Sequence, residues 1–232
     1  MSRQEKLAAL ASTGVTKAEL DNIDGGTARG TTAIADGDGV LINDAGTMRM
    51  TSVETMATYI GTKVGGGMEF LASSGAISDG TASVAFTQFN SSKYDLYKFF
   101  IQSVVPVSDN VTLFAQLSAD GGSSYDSTNG NYHYSNADTT GLYIIGQVGG
   151  ASGELLGVSA EFHIFDAHNT AKYTASHASG LYQYSGGTQY IDNVSMQSFY
   201  INSTAAHTAI KFLFSSGNIE SGEITMFGVV NS

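Results

Sequence analysis

The sequence predicts a mainly β protein in which a small N-terminal α/β-hairpin attachment module precedes an antiparallel β-sandwich, jelly-roll-like in size. Three observations support this fold class. Helix, turn and hairpin signals are crowded into residues 17–63, three consecutive glycines follow, and beyond them the apolar residues recur with a period of two. We therefore expect an attachment and oligomerisation module over residues 1–64, a glycine linker over 65–69 and the β-sandwich domain over 70–232.

The module begins with two short helical signals. Residues 3–12 place four apolar side chains close together on a helical surface, and Gly14 is the expected stop. Thr16 and Glu19 then have the spacing of a capping box. An isolated helix of fewer than about 12 residues is marginal in water. We therefore expect the first helix to need a docking partner.

A β-hairpin and an amphipathic helix complete the module. Two short strands at residues 40–43 and 47–50 flank a glycine-containing turn. A second capping box, Thr51 to Glu54, opens a helix with an apolar stripe. The stripe is the predicted attachment face, and it consists of Val53, Met56, Ala57, Ile60 and Val64.

The β-domain follows as nine predicted strands separated by turn clusters of Ser, Asp, Asn and Gly. The strands are residues 83–89, 96–105, 111–117, 141–148, 154–165, 172–184, 194–201, 209–214 and 223–229. Seven phenylalanines at these positions are expected in the core, namely Phe86, Phe89, Phe99, Phe114, Phe162, Phe212 and Phe214.

Residues 120–140 form the longest predicted loop, and Tyr125, Tyr132 and Tyr134 lie in it among small polar residues. Tyrosine suits recognition because it brings contact area at low entropic cost and forms hydrogen bonds. Two interpretations stay open: the tyrosines could contact a receptor, or they could belong to ordinary amphipathic strand faces.

Charge and composition exclude several functions. The chain of 232 residues has a net charge of −11 and no cysteine, which excludes disulfides and thiolate metal sites. After residue 65, four lysines stand against thirteen carboxylates, and so acidic a surface repels nucleic-acid phosphates. The N-terminus lacks a signal-peptide pattern, and no apolar stretch approaches the ~20 residues that span a bilayer. We expect no nucleic-acid partner and no membrane insertion.

No catalytic or metal motif is complete. Asp36-Gly37-Asp38-Gly39 begins like a calcium loop, but Thr47 stands where an EF-hand needs glutamate, so we interpret it as a solvated turn. His163 and His168 flank a predicted strand end, which makes only a weak metal pair. No GxSxG elbow occurs, and no pair of carboxylates is placed as a glycosidase requires. We predict no enzymatic activity, no cofactor and no metal.

Three strings in residues 14–64 resemble short modules near the N-termini of tail-fibre-like and other virion structural proteins of marine bacteriophages. They are GVTKAELDNIDGG, GTTAIADGDGVLINDAGTM and TSVETMATYI. The stretches DNVTLFAQLSADGGSSYD and GEITMFGVV look like the β-sandwich tips of those proteins. The resemblance implies a non-enzymatic virion protein, often homotrimeric, that assembles in the host cytoplasm and binds other phage structural proteins through its N-terminal module.

The resemblance leaves two functions open. The first is a short tail fibre or tail-associated protein that recognises a host surface glycan through loops of the β-domain. The alternative is a capsid decoration, cement or head-fibre protein that stabilises the capsid. The chain has no extended repeat shaft, which sets it apart from long fibres.

Overall fold

The computed structural model describes residues 2, 4–5, 14, 31–63, 67–135, 137–150, 156–186, 191–200 and 205–230. The chain divides into two compact units, Met1–Lys63 and Val64–Ser232. Most of the predicted first helix lies outside the described residues, as do the capping box of Thr16 and Glu19 and the last stripe residue, Val64.

The described part of the first unit contains a two-stranded antiparallel hairpin of β1 (Gly39–Asp44) and β2 (Thr47–Ser52). Ala45 and Gly46 alone connect the strands, and both have positive φ, 49° and 93°. That combination is typical of a type I′ turn, whose twist matches that of the flanking strands. The side chain of Asn43 accepts a hydrogen bond from the amide of Gly46 at 2.7 Å. The predicted hairpin is confirmed.

Helix α1 (Val53–Lys63) starts directly after β2. Its N-cap is Ser52, whose Oγ accepts a hydrogen bond from the amide of Thr55 at 3.1 Å. The predicted capping box of Thr51 and Glu54 is therefore wrong by one residue, because the hydroxyl of Ser52 accepts the hydrogen bond from the first turn of the helix.

The Asp36-Gly37-Asp38-Gly39 turn holds the start of α1. The amide of Val53 donates to the carbonyl of Asp38 at 2.9 Å, and the amide of Glu54 donates to the carbonyl of Asp36 at 3.1 Å. The Asp38 carboxylate accepts a hydrogen bond from the amide of Ala35 at 2.9 Å. The turn thus supplies acceptors for helix amides that have no partner within the helix.

The second unit contains a seven-stranded and a four-stranded antiparallel sheet. Its strands are β3 (Met68–Ser73), β4 (Val84–Phe86), β5 (Tyr94–Pro106), β6 (Val111–Ser118), β7 (Tyr132–Tyr134), β8 (Ala137–Thr139), β9 (Leu142–Val148), β10 (Val158–Phe165), β11 (Thr174–Gln183), β12 (Ile191–Tyr200), β13 (Ala209–Phe214) and β14 (Ile219–Val230). The larger sheet has the order β3-β14-β5-β10-β11-β12-β7, and the smaller has β4-β13-β6-β9. The chain is mainly β, as the sequence predicts.

All nine predicted strands have a counterpart among the described residues, which contain three further strands of the second unit that were not predicted. The linker predicted at 65–69 is wrong at its end, because β3 begins at Met68 and pairs with β14. The loop predicted at 120–140 is wrong in part, because it contains β7, which pairs with β12, and β8. A strand of three residues is too short for its alternation to be recognised, and β3 follows directly on glycine.

Strand pairing in the second unit is nested. β3 pairs with β14, β4 with β13, β5 with β10, and β6 with β9. Each of these pairs lies inside the preceding one along the chain. β11 and β12 extend the larger sheet beyond β10 as an added hairpin.

The two sheets share one aromatic core. Ring centroids are 5.6 Å apart for Phe86 and Phe99, 5.0 Å for Phe99 and Phe212, and 5.8 Å for Phe162 and Phe212. Phe86 and Phe212 come from the smaller sheet, and the other two from the larger. These four and Phe214 are buried as predicted, whereas the remaining two predicted core phenylalanines are half-buried.

Candidate ligand-binding cavity

The loop that leaves β6 is organised by the carboxylate of Asp120. Its Oδ1 accepts hydrogen bonds from the hydroxyl of Ser118 at 2.7 Å and the amide of Ser124 at 2.9 Å. Its Oδ2 accepts one from the hydroxyl of Ser124 at 2.6 Å. The hydrogen bonds from Ser124 and then Ser118 lower the pKa of Asp120 to about 2. The carboxylate is therefore ionised at neutral pH.

Asp126 is a second organising carboxylate in the same loop. Its Oδ2 accepts hydrogen bonds from the hydroxyl of Tyr200 and the side-chain amide of Asn131, both at 2.6 Å, and its Oδ1 accepts one from the amide of Thr128 at 2.8 Å. Burial by itself raises the pKa of Asp126, but these hydrogen bonds together outweigh burial and lower it. Asp126 joins the loop to β12, which is distant in sequence.

Tyr132 lies beneath this loop in the core. It is fully buried, its hydroxyl accepts a hydrogen bond from the amide of Leu117 at 2.9 Å, and it donates to the carbonyl of Asp126 at 3.0 Å. Burial raises the pKa of Tyr132 well above its ordinary value. The expectation that Tyr132 is an exposed receptor contact is therefore wrong. Its hydroxyl is needed to satisfy buried backbone groups.

The loop that holds Asp120 and Asp126 lines a cavity of about 310 Å³. Aromatic, carboxylate and hydroxyl groups line it together, among them Asp120, Ser124, Tyr125, Asp126, Tyr200 and His207. Tyr125 is half-buried, and the Nζ of Lys211 lies 4.7 Å from its ring centroid. A cation over an aromatic face is attracted to the ring and holds it in place.

His207 is buried on one side of the cavity. Its Nδ1 shares a hydrogen bond of 2.9 Å with the hydroxyl of Thr174, and its ring meets that of Tyr200 edge to face at 4.9 Å. Burial lowers the pKa of His207 to about 4. The imidazole is therefore neutral at neutral pH, and it forms an uncharged wall.

The two carboxylates in the cavity lining are already held by protein groups. Hydrogen bonds from Ser124, Ser118 and Ser123 lower the pKa of Asp120, and those from Tyr200, Thr128 and Asn131 lower the pKa of Asp126. A carboxylate offers about four lone-pair positions, so a ligand hydroxyl would bind by sharing an oxygen with one of these groups or by displacing it. The lining suits a ligand that combines hydroxyl groups with an apolar face for a tyrosine.

The other predicted receptor residues do not join this cavity. Tyr134 is half-buried and stacks on Tyr143, with ring centroids 4.1 Å apart and an angle of 9° between the planes. Of the three predicted tyrosines, the structure therefore places only Tyr125 in the cavity lining. Sequence reasoning missed Asp120, Asp126 and Tyr200. The serines around Asp120, in DGGSS, were the available signal, because aspartate and serine commonly bond to nearby backbone groups.

The predicted attachment face is open in part. Val53 and Met56 are half-buried, whereas Ala57 and Ile60 are exposed. Beside it lies a groove of about 550 Å³ between the hairpin and α1, lined by Ile42, Asn43, Asp44, Thr51, Thr55, Met56 and Tyr59. The sequence did not indicate that the hairpin contributes to this surface.

The predicted weak histidine pair does not form. His168 Nε2 lies 2.6 Å from the hydroxyl of Tyr97, whereas His163 lies on β10 opposite His177 of β11. Within the part of the chain that the structure describes, no three His, Asp or Glu side chains are grouped so as to hold a metal ion.

The described residues of the second unit thus define a mainly β, antiparallel unit that contains a polar-aromatic cavity. Comparisons with protein-family models, with curated proteins and with solved structures give no match to this chain. Among the described residues, no helix has both the length and the apolar character to cross a membrane.

Proposed function

We propose that the protein is a non-enzymatic bacteriophage virion protein, a short tail fibre or tail-associated protein that recognises a host surface glycan. The cavity lined by Tyr125, Tyr200 and two carboxylates is the observation that carries this proposal. Its volume lies at the lower end of the ~300–1,000 Å³ range of small-molecule sites. The virion assignment rests on the resemblance of residues 14–64.

A jelly-roll sandwich is the fold that we propose for the second unit. The nested pairing of β3 with β14, β4 with β13, β5 with β10 and β6 with β9 supports it. A jelly roll is such a ladder of nested pairs wrapped into two packed sheets. The aromatic contacts between the two sheets give the same support.

Saccharide binding without hydrolysis fits the chemistry of the cavity. Sugar hydroxyls donate well to carboxylates, and an apolar sugar face packs on a tyrosine ring. A glycosidase needs one carboxyl group that is protonated near neutral pH. The pKa values of Asp120 and Asp126 are both lowered, so neither meets that need.

Attachment to the particle through the first unit is the other half of the proposal. The exposed Ile60 and the half-buried Met56 supply an apolar surface next to the groove along α1. An apolar helix face beside a groove is a common form of protein docking site.

The test of glycan recognition compares Tyr125→Ala with Tyr134→Ala in the full chain. Both tyrosines are half-buried, but only Tyr125 lines the cavity. Binding to a panel of immobilised bacterial envelope polysaccharides is measured by surface plasmon resonance. Truncation of a hot-spot residue, a class in which tyrosine is enriched, removes more than about 1 kcal/mol of binding free energy, so we expect roughly a tenfold loss of affinity for Tyr125→Ala and little change for Tyr134→Ala.

Equal affinities for the two variants, or no binding by the unaltered chain, would contradict the recognition role. Release of reducing ends from any bound polysaccharide would instead identify a depolymerase. Circular dichroism of each variant shows whether a loss of binding reflects loss of the fold.

A capsid decoration or cement role is the second candidate function. The strongly exposed Phe70 and Met68 of β3 favour it, because they offer an apolar surface that a neighbouring subunit can cover. The two roles differ in copy number per particle, with a few to tens of copies for a tail protein and hundreds for a decoration protein. Quantitative mass spectrometry of purified particles separates them.

A further inference from the structure

We infer that the outer face of the seven-stranded sheet is a self-association surface that binds a second copy of this chain. The outer face is the side turned away from the aromatic core, and its central residues are Phe70, Lys98, Phe100, Glu161, His163 and Phe227. This inference does not depend on glycan recognition, because none of these residues lines the cavity.

Strand register places these side chains together. Phe227 of β14 pairs with Phe70 of β3 on one side and with Lys98 of β5 on the other, and Lys98 pairs in turn with His163 of β10. On β5, β10 and β14 their neighbours along the strand are buried, among them Phe99 next to Lys98, and on the edge strand β3 the neighbours of Phe70 are half-buried. Alternation therefore turns the whole row to the outside of the sheet.

The row is aromatic where a solvated sheet face is normally polar. The rings of Phe70 and Phe227 meet edge to face at 5.9 Å, and those of Phe100 and Phe227 at 5.4 Å. Phe70 is nevertheless 62% exposed, and Met68, on the same edge strand, is 48% exposed. An exposed apolar edge strand invites pairing or packing with another chain.

Charge at the centre of the outer face is balanced, so it does not oppose the approach of a second copy there. Residues 66–232 carry four lysines and thirteen carboxylates, a net charge of −9, so two copies repel over most of their surface. On the outer face, Lys98 and Glu161 form an ion pair of 2.6 Å, which cancels their charges. Burial lowers the pKa of His163, so its ring adds no charge at neutral pH. Two acidic copies can therefore approach here.

The size of the face is sufficient for a stable contact. Five strands at a spacing of about 4.8 Å and a length of about seven residues give roughly 550 Å² of flat area. Two copies thus bury roughly 1,100 Å² or more, which exceeds the ~1,000 Å² expected of a biological interface. Apolar contact over this area makes association stronger at high salt, because salt screens only the repulsion.

Sedimentation equilibrium of the full chain tests the inference, with Phe70→Asp as the disrupting variant. Val107→Asp is the matched control, because Val107 is 47% exposed and lies just beyond the end of β5. We expect the unaltered chain and Val107→Asp to sediment as oligomers whose dissociation constant falls in high salt. We expect Phe70→Asp to sediment at the mass of one chain, 24.2 kDa.

A labelling experiment keeps the inference testable if Phe70→Asp fails to fold. The chain contains no cysteine, so Leu181→Cys on β11, 39% exposed at the rim of the outer face, provides a single reactive thiol. We expect its reaction with a maleimide to slow at concentrations where oligomers form, and to recover on dilution.

Any one of three results would overturn the inference. The first is that the unaltered chain sediments as a single chain at about 50 μM or more, and the second is that Phe70→Asp leaves the oligomer unchanged. The third is that the Leu181→Cys thiol reacts at a rate that does not depend on protein concentration. A protected thiol in a monomer indicates that another part of the same chain covers the face, which also contradicts a second copy.

Discussion

Acidification from pH 7 to pH 4.5 is expected to destabilise the second unit, mainly because His207 is buried in its neutral form. The folded state holds the pKa of His207 at about 4, against an ordinary value of 6.5, because its ring is buried. The unfolded chain therefore binds more protons in this window, and stability falls as the pH falls. The contribution of neutral His207 to the free energy of unfolding is therefore fully present above about pH 6.5, and it is lost as the pH drops towards 4.

The size of this loss of stability follows from the pKa values of His207 in the unfolded and the folded state. One pKa unit corresponds to about 1.4 kcal/mol, so a group that shifts from 6.5 to about 4 contributes roughly 2 kcal/mol between pH 7 and pH 4.5. The pKa values of His163 and His168 are also lowered by burial and add loss of the same sign. Asp120, whose pKa is about 2 in the folded state, titrates below this window.

The assay is urea unfolding of the full chain at pH 7.0 and pH 4.5, followed by tyrosine fluorescence. The matched variant is His207→Asn, because the asparagine side chain places a hydrogen-bonding atom near the position of Nδ1, which contacts Thr174. We expect the variant to lose roughly 2 kcal/mol less than the unaltered chain between the two pH values. Equal losses in the two proteins would refute the assignment to His207.

Two further predictions concern backbone conformation and use the same unfolding measurement. Ala45→Gly is expected to stabilise the hairpin of the first unit by about 0.5–1 kcal/mol, because Ala45 has a φ of 49° that glycine adopts more easily; a loss of stability would contradict the type I′ turn. Gly222→Ala is expected to destabilise the second unit by about 2 kcal/mol or more, because φ is +123° and an added Cβ would stand 2.7 Å from the carbonyl oxygen of Ser103. An unchanged urea midpoint for Gly222→Ala would show that β14 and β5 can move apart beside Gly222 at little cost in free energy.

Local pattern predicts the strands of this protein well, because alternation is a property of a few consecutive residues. The segment that became β10 shows it plainly, with Val158, Ala160, Phe162 and Ile164 buried and the residues between them facing outward. β3 was missed because its MEFLAS sequence lacks strict alternation and follows a glycine run. Its strand character depends on β14, more than 140 residues later, which no local pattern reveals.

The candidate cavity was less predictable than the strands for the same reason. Tyr125 was identified from its loop, but Asp126 and Tyr200 meet across 74 positions of sequence. Tyr132 lies in the same polar stretch as Tyr125, and composition alone treats the two alike. Only the pairing of β7 with β12 decides that Tyr132 turns into the core.

The cavity and the outer face use different residues, so their roles can be separated. If both proposals hold, an oligomer buries the outer face and leaves every cavity open, and several weak sites then act together on one cell surface. Tyr125→Ala should lower the affinity for the saccharide roughly tenfold while the oligomer mass stays the same. Phe70→Asp should leave the affinity for a short soluble saccharide unchanged but weaken attachment to a polysaccharide surface, because multivalency is lost. A joint loss of mass and of soluble-saccharide binding in Phe70→Asp would instead mean that the cavity depends on assembly.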